Sequence, residues 1–443
     1  MATPQPSQRF QKLASDYGML VVLLGLMAIL SVATLDLQQP VGANAGRQVA
    51  ESINGRTPPL NILLVTAEGK LDFEFADAFE TLLQDPHKVA ARIQGGPREA
   101  RLALEQKVST VDTIVCTTTA ARWNPILESS LQTVTPDSYY WPDFLMADNL
   151  VTIAQRITII AIIAIGMTMV IITAGIDLSV GSLIALSAVV TGVLIRDCFG
   201  GKEADVLGLW VSAGGGILTC GLAGFFTGFL IAAFRLPPFI VTLAMMLLVR
   251  GVANVISDQR TIHEIPMAFD TLGKGNFLSI PITVWLMFLL YLVAHFVMSR
   301  TAFGRQIYAV GGNEEVARLA GVRVKRILLI VYTLCGLLSG LGGVIVTSQL
   351  RSAKASFGMM DELTVIAAVV VGGTSLMGGE GKILGTLIGA FIIGVIQNGM
   401  NLVHMDDKTQ MIVLGSVIVL AVLVDRIKKG QVKWSDVKNV FNS

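Results

Sequence analysis

The chain has 443 residues, 53% hydrophobic and only 15% charged, with 44 glycines and a formal net charge of +1. A soluble domain carries about 25% charged residues, so this composition points to a membrane protein. The near-neutral balance excludes the basic face that a nucleic-acid partner requires. Cys116, Cys198, Cys220 and Cys335 show neither CxxC nor Cys/His ligand spacing, which argues against a metal or redox centre.

Residues 1–17 form a cytoplasmic N-terminus, and the first apolar run, 18–36, is long enough to stay in the bilayer as an anchor without a cleavable signal. Residues 37–147 then interrupt the hydrophobic pattern. Asn61–Ala67, Val89–Ile93 and Asp112–Thr117 read as strands, and Phe73–Leu83, Arg98–Val108 and Asn124–Leu131 as helices. Strands alternating with helices predict a small parallel α/β insertion. Its pattern resembles one lobe of a periplasmic sugar-binding protein, which implies a ligand or docking module; a purely structural insertion is the alternative. Asp72, Glu74 and Asp77 are candidates for a sugar site or, more simply, partners of a helix dipole.

From 148 to 425 the chain reads as a transmembrane core with spans at 150–173, 178–196, 207–233, 238–257, 281–299, 327–348, 362–377, 383–402 and 410–425. With the first run this predicts a polytopic α-helical membrane protein of about ten transmembrane helices plus an extracytoplasmic α/β insertion. The positive-inside rule agrees. Arg235, the segment 300–326 (Arg300, Arg305, Arg318, Arg323, Lys325, Arg326) and the tail 426–443 (Arg426, Lys428, Lys429) all fall inside; Arg351 and Lys354 run against the trend.

The most informative stretch is Gly166–Ser182, GMTMVIITAGIDLSVGS, where Asp177 sits between two apolar runs. Backbone groups freed by such a break need protein or a wet cavity around them. Gly175, Asp177 and Ser179 are therefore candidates for a translocation path or gate. The alternative, and the simpler one, is that Asp177 caps the next helix, with Ser179 a similar cap candidate. Val369–Lys382, VVVGGTSLMGGEGK, has the same apolar–Gly–polar–apolar form, as an internal repeat or an independent turn. Its Gly378–Lys382 stretch fails the phosphate-loop pattern because Ile383 stands where Ser or Thr is needed. ATP hydrolysis is accordingly expected in another chain. Gln397 and Asn398 could line a path for hydroxylated substrates or bond between helices. His295, without a nearby carboxylate, is expected to be packed and satisfied.

Four stretches, TAGIDLSVGSLIAL (173–186), RLPPFIVTLAMMLLVRG (235–251), FGRQIYAVGGNEEVARLAGVRV (303–324) and GGTSLMGGEGKILGTLIGA (372–390), resemble the permease subunit of monosaccharide ABC importers, the ribose, xylose, galactose and autoinducer-2 group. The 37–147 insertion departs from that pattern. The resemblance implies a homodimer in the inner membrane of a bacterium, a cytoplasmic ATP-binding subunit, an extracytoplasmic sugar-binding protein and no cofactor. It also implies that a short helix, started by Asn313 after Gly311 and Gly312, docks on the ATP-binding subunit. Glu314 and Glu315 would lie in its first turn, Ala317 within it, Val316, Leu319 and Ala320 on an apolar knob, and Gly321 at its stop. The rivals are an ion-gradient-driven secondary sugar transporter and a membrane sugar sensor.

Overall fold

A computed structural model describes residues 6–57, 59–107 and 110–428, divided into two compact units. One is Ala33–Asp143; the other is built from the chain before and after it. Most of the expected tail, from 429 onward, and Val108 at the end of one expected helix lie outside the described residues.

The smaller unit runs β1 (Leu35–Gln38), α2 (Gly42–Asn54), β2 (Asn61–Thr66), α3 (Lys70–Leu82), β3 (Lys88–Gln94), α4 (Pro97–Lys107), β4 (Thr113–Cys116), α5 (Asn124–Leu127), β5 (Gln132–Val134) and β6 (Tyr139–Pro142); helix α1 (Pro6–Ala33) precedes it. Strands β3-β2-β4-β5 form a wholly parallel sheet, while β1 and β6 pair antiparallel. Side chains alternate across β2 and β4. Ile62, Leu64 and Val115 face α2 and α3, whereas Leu63, Val65, Ile114 and Cys116 face Ala100, Leu104 and Ile126. Full burial of β2 on both faces explains its unbroken apolar run. Two expectations change: the sheet has four strands rather than three, and the helix expected over Asn124–Leu131 is a single turn.

The larger unit continues with α6 (Ala147–Ile172), α7 (Val180–Val193, prolonged by a π-turn to Cys198), α8 (Val206–Phe234), α9 (Pro238–Ile256), α10 (Asp270–Lys274), the short pair β7 (Asn276–Phe277) and β8 (Ile280–Pro281), α11 (Ile282–Arg300), α12 (Ala302–Gly312), α13 (Glu314–Leu319), α14 (Val324–Leu350), α15 (Asp361–Val371), α16 (Ile383–Leu402) and α17 (Asp407–Lys428). Among the described residues, seven helices are long and apolar enough to cross a membrane: α6, α7 with its extension, α8, α9, α11, α14 and α16. The apolar parts of α1 (Gly18–Ala33) and α17 (Lys408–Leu420) are shorter, and α15 has 11 residues. The run read to 377 stops being helical at Gly372 because Gly373 takes φ +86°.

Small residues set the spacing of this bundle. A Cβ on Gly224 of α8 would lie 2.4 Å from the Tyr332 carbonyl oxygen of α14, and one on Gly336 would lie 2.4 Å from the Cys220 carbonyl oxygen. These backbones touch, which is how helices gain contact where lipid removes the hydrophobic drive between them. Outward-facing Leu222, Phe225, Leu247, Leu292 and Phe296 stay exposed, as a lipid-facing surface requires.

Candidate functional site

Helix α6 runs out at Ile172 because the next residues leave the helical region. Ala174 takes φ 61°, and the Gly175 N–H bonds back to the Val170 carbonyl oxygen at 3.1 Å. Gly175 then passes so close to α14 that a Cβ there would sit 2.4 Å from the Tyr332 hydroxyl. The freed Ile176 carbonyl oxygen accepts from Thr242 Oγ1 of α9 at 3.0 Å. The backbone groups freed at the break are thus taken up partly within α6 and partly by a neighbouring helix, as the hydrocarbon interior demands.

Asp177 is fully buried. Its Oδ1 accepts from the Ser179 N–H at 2.9 Å and from Ser179 Oγ at 2.6 Å. This is an Asx turn three residues ahead of Val180, where the regular helix begins. Ser179 itself stands at the N-cap of α7, with no side-chain bond to the helix. Asp177 Oδ2 and the hydroxyls of Ser182 and Tyr332 have no hydrogen-bond partner among the described residues. The break therefore carries a buried carboxylate with spare accepting capacity.

The segment expected to couple lies beside this break. Asn313 Oδ1 accepts from the N–H groups of Glu315 and Val316, both at 3.0 Å, and so caps α13. Ala317 is buried, whereas Val316 and Leu319 are 60% and 81% exposed and Ala320 is exposed as well. Gly321 ends the helix at φ +84°. Glu314 and Glu315 are exposed in the first turn. Between α13 and the Asp177 break lies a cavity of about 650 Å³ lined by Gly175, Arg235, Pro237, Glu314, Arg318 and Tyr332, among others.

The second Gly-rich break meets the first. The Gly379 N–H donates to the Ile172 carbonyl oxygen at 2.9 Å, and Tyr308 Oη donates to the Gly381 carbonyl oxygen at 2.7 Å. A Cβ on Gly311 would fall 1.6 Å from the Ile172 oxygen and 2.6 Å from the Gly379 nitrogen. The end of α12, the end of α6 and the 378–379 turn are thus in backbone-to-backbone contact, while Gly312 faces open space.

Other expected residues go elsewhere. Asn398 of α16 exchanges hydrogen bonds with Asn149 at the start of α6, at 2.7 and 3.1 Å. Asn149 is roughly 35 Å along α6 from its Ile172 end, at about 1.5 Å per residue, so Asn398 is not part of the Asp177 constellation. Gln397 is half-buried on the same helix. His295 is exposed rather than packed.

Residues not singled out in the sequence join the core here. Arg250 Nη1 donates to the carbonyl oxygens of Ala355 and Phe357, each at 2.6 Å. It holds the non-helical stretch that runs beside α7 from Gly192, next to Ala353, to Gly181, next to Gly358 and Glu362. Glu362 Oε2 is buried without a partner among the described residues. The signal was one Arg inside an apolar helix, which only a membrane reading of that helix makes conspicuous.

A family profile described as branched-chain amino acid transport system / permease component matches residues 149–422. The chain is 44% identical over 292 residues to the ribose import permease protein RbsC of Escherichia coli K12, covering 65% of this chain and 88% of that one. It is 39% identical over 292 residues to the L-arabinose ABC transporter permease protein AraH of Azospirillum brasilense (66% and 83%). It is 36% identical over 284 residues to the D-allose transport system permease protein AlsC of Escherichia coli K12 (64% and 85%). No solved structure matches.

Proposed function

Because the chain belongs to the family of branched-chain amino acid transport-system permease components, we propose that it is the membrane-spanning permease of an ATP-driven importer for a monosaccharide. It is a transport component, not an enzyme, and ATP hydrolysis belongs to a partner subunit. Relatives named for ribose, arabinose and allose support the sugar class over a gradient-driven carrier.

The observation that carries the mechanism is the apposition of Gly311 with Ile172 and Gly379. An ATP-binding subunit gripping the exposed knob of Val316, Leu319 and Ala320 would pull on α12, and backbone contact leaves no slack between α12 and the two breaks. Motion there tilts α6 and α7 about the Asp177 turn. That opens the path to one side of the membrane and closes it to the other, as alternating access requires. Asp177 with its spare Oδ2, Ser179 and Gly175 would serve as the joint or gate, and no covalent chemistry is involved.

The working topology has ten spans, with α1, α15 and α17 completing the seven long helices and the N-terminus in the cytoplasm. The eighth is a broken span, in which an extended stretch beside α7 precedes the half-length α15. This puts the 37–147 insertion outside the cytoplasm and α13 inside. A second copy would complete the path, and a sugar-binding protein would deliver substrate.

The test is uptake of radiolabelled D-ribose, L-arabinose and D-allose into proteoliposomes holding the chain and its ATP-binding subunit. Glu314→Arg with Leu319→Asp should abolish both subunit binding and uptake. Sugar movement without ATP, or unaltered coupling in the double variant, overturns the proposal.

A further inference from the structure

We infer that the α/β unit itself binds a small neutral polyol, an aldose, at the carboxyl edge of its parallel sheet between β2 and β4. The topology singles out that place. The sheet order β3-β2-β4-β5 reverses direction between β2 and β4. The chain leaves β2 toward α3 on one face and leaves β4 toward α5 on the other. Loops diverging to opposite faces leave a crevice beyond the strand ends, where ligands of open α/β sheets bind.

The side chains at that crevice are short of partners. Thr66, the last residue of β2, is fully buried, and its Oγ1 makes no hydrogen bond to any described residue. Thr117, the residue after β4, likewise has a buried Oγ1 without a partner. Val65 pairs with Cys116 in the ladder, so the two threonines are the next residues on adjacent strands. Strand alternation puts both on the face of Leu64 and Val115. An orphaned buried hydroxyl is costly, and native structures tolerate it mainly where something absent satisfies it. Two side by side at a switch point mark a ligand that gives and accepts hydrogen bonds at short spacing, as vicinal hydroxyls do.

The surroundings carry charges of both signs. The β2–α3 turn carries Glu68, and the first turn of α3 holds Asp72 two residues after Lys70; both carboxylates can accept from sugar hydroxyls. On the opposite face of the sheet, beside α4 and α5, a cavity of about 490 Å³ is lined by Arg98, Arg101, Arg122, Trp123 and Asn124. It offers guanidinium donors and an aromatic face for the C–H side of a sugar ring. The choice of an aldose rests on the importer reading; the location rests on the sheet and the two hydroxyls alone.

The experiment uses the full chain purified in detergent, without any binding protein. Equilibrium dialysis with radiolabelled D-ribose, L-arabinose and D-allose, and with inorganic phosphate, should find saturable binding of one of the sugars and none of phosphate. Hydrogen exchange at 67–69 and 117–119 should slow in its presence. Thr66→Val with Thr117→Val should weaken binding at least about tenfold while leaving the melting temperature unchanged or raised, since each substitution removes an unsatisfied hydroxyl. Undiminished binding in the double variant, a preference for phosphate, or a lowered melting temperature overturns the inference. Active ATP-driven uptake by a chain that binds none of the sugars also overturns it while leaving the importer standing; absence of uptake with the ATP-binding subunit present strikes the importer reading separately.

Discussion

Replacing Gly311 by alanine should damage this protein far more than the same change one residue later. A Cβ at Gly311 would sit 1.6 Å from the Ile172 carbonyl oxygen, far inside the 3.0 Å that real Cβ contacts respect, with the Gly379 nitrogen 2.6 Å away. Both neighbours are backbone, so no side chain can swing aside. Forcing the segments apart strains the packing by about 1–3 kcal/mol. It also breaks the Gly379 N–H to Ile172 oxygen bond, worth about 0.5–1.5 kcal/mol net. Together these predict a loss of roughly 2–4 kcal/mol, or about 4–8 °C in melting temperature for a large domain. Gly312 has nothing within 4 Å of an added Cβ and ends a helix. Gly312→Ala should therefore be neutral or stabilising by up to about 1 kcal/mol. The assay is thermal unfolding in detergent at a fixed scan rate, with ATP-driven uptake in parallel. A Gly311→Ala protein that melts within about 1 °C of the parent, a shift too small for this strain, would refute the reasoning, as would equal losses at both positions.

Arg250→Met should cost roughly 2–4 kcal/mol, because the Ala355 and Phe357 carbonyl oxygens lose charge-assisted bonds. Limited proteolysis checks this through faster cutting near 351–360. In a double-mutant cycle, Asn149→Ala and Asn398→Ala should show a coupling of about 0.5–2 kcal/mol in thermal unfolding while leaving substrate selectivity in uptake unchanged. Burial pushes the Cys116 thiol up to about 12, so N-ethylmaleimide at pH 8 should label exposed Cys198 and spare Cys116 until the protein is unfolded. The same raised value favours the folded protonated form fully below the unfolded value of about 8.5. Its contribution declines as pH climbs from there toward 12, and Cys116→Ala should remove that slope from the stability profile.

The strands of the smaller unit were legible because Asn61–Thr66 and Thr113–Cys116 are β-rich runs that end up buried on both faces. Helix α2 was not. It was missed although its buried face, Gly42, Ala45, Gly46, Val49, Ala50 and Ile53, recurs at helical spacing, because most of those residues are too small to stand out as an apolar run. Small size is what the site needs, since a Cβ on Gly46 would meet the Phe75 carbonyl oxygen at 2.2 Å. The pairing of β1 with β6 joins segments about a hundred residues apart, beyond the reach of local pattern. In the membrane unit, α13, its cap and its stop were readable from Asn313 and Gly321, because capping is local chemistry. The meeting of Gly311 with both breaks is tertiary and left no local trace. Asp177 was visible as a lone acid in apolar sequence, but its Asx turn follows from the geometry of residues 175–179.

The antiparallel ribbon of β1 and β6 sets Leu35 opposite Pro142 and Gln38 opposite Tyr139. Both connections to the α/β unit therefore leave through one narrow neck, a single strand spacing of about 5 Å across. A neck of that width makes the unit a removable cassette. Joining the chain across it needs only a tight turn of two to five residues, about the length common in hairpins. The same neck would accept an unrelated domain whose own termini lie close together, such as a fluorescent reporter. This protein thus offers a graft point at which cargo can be exchanged without lengthening or shortening any helix of the permease.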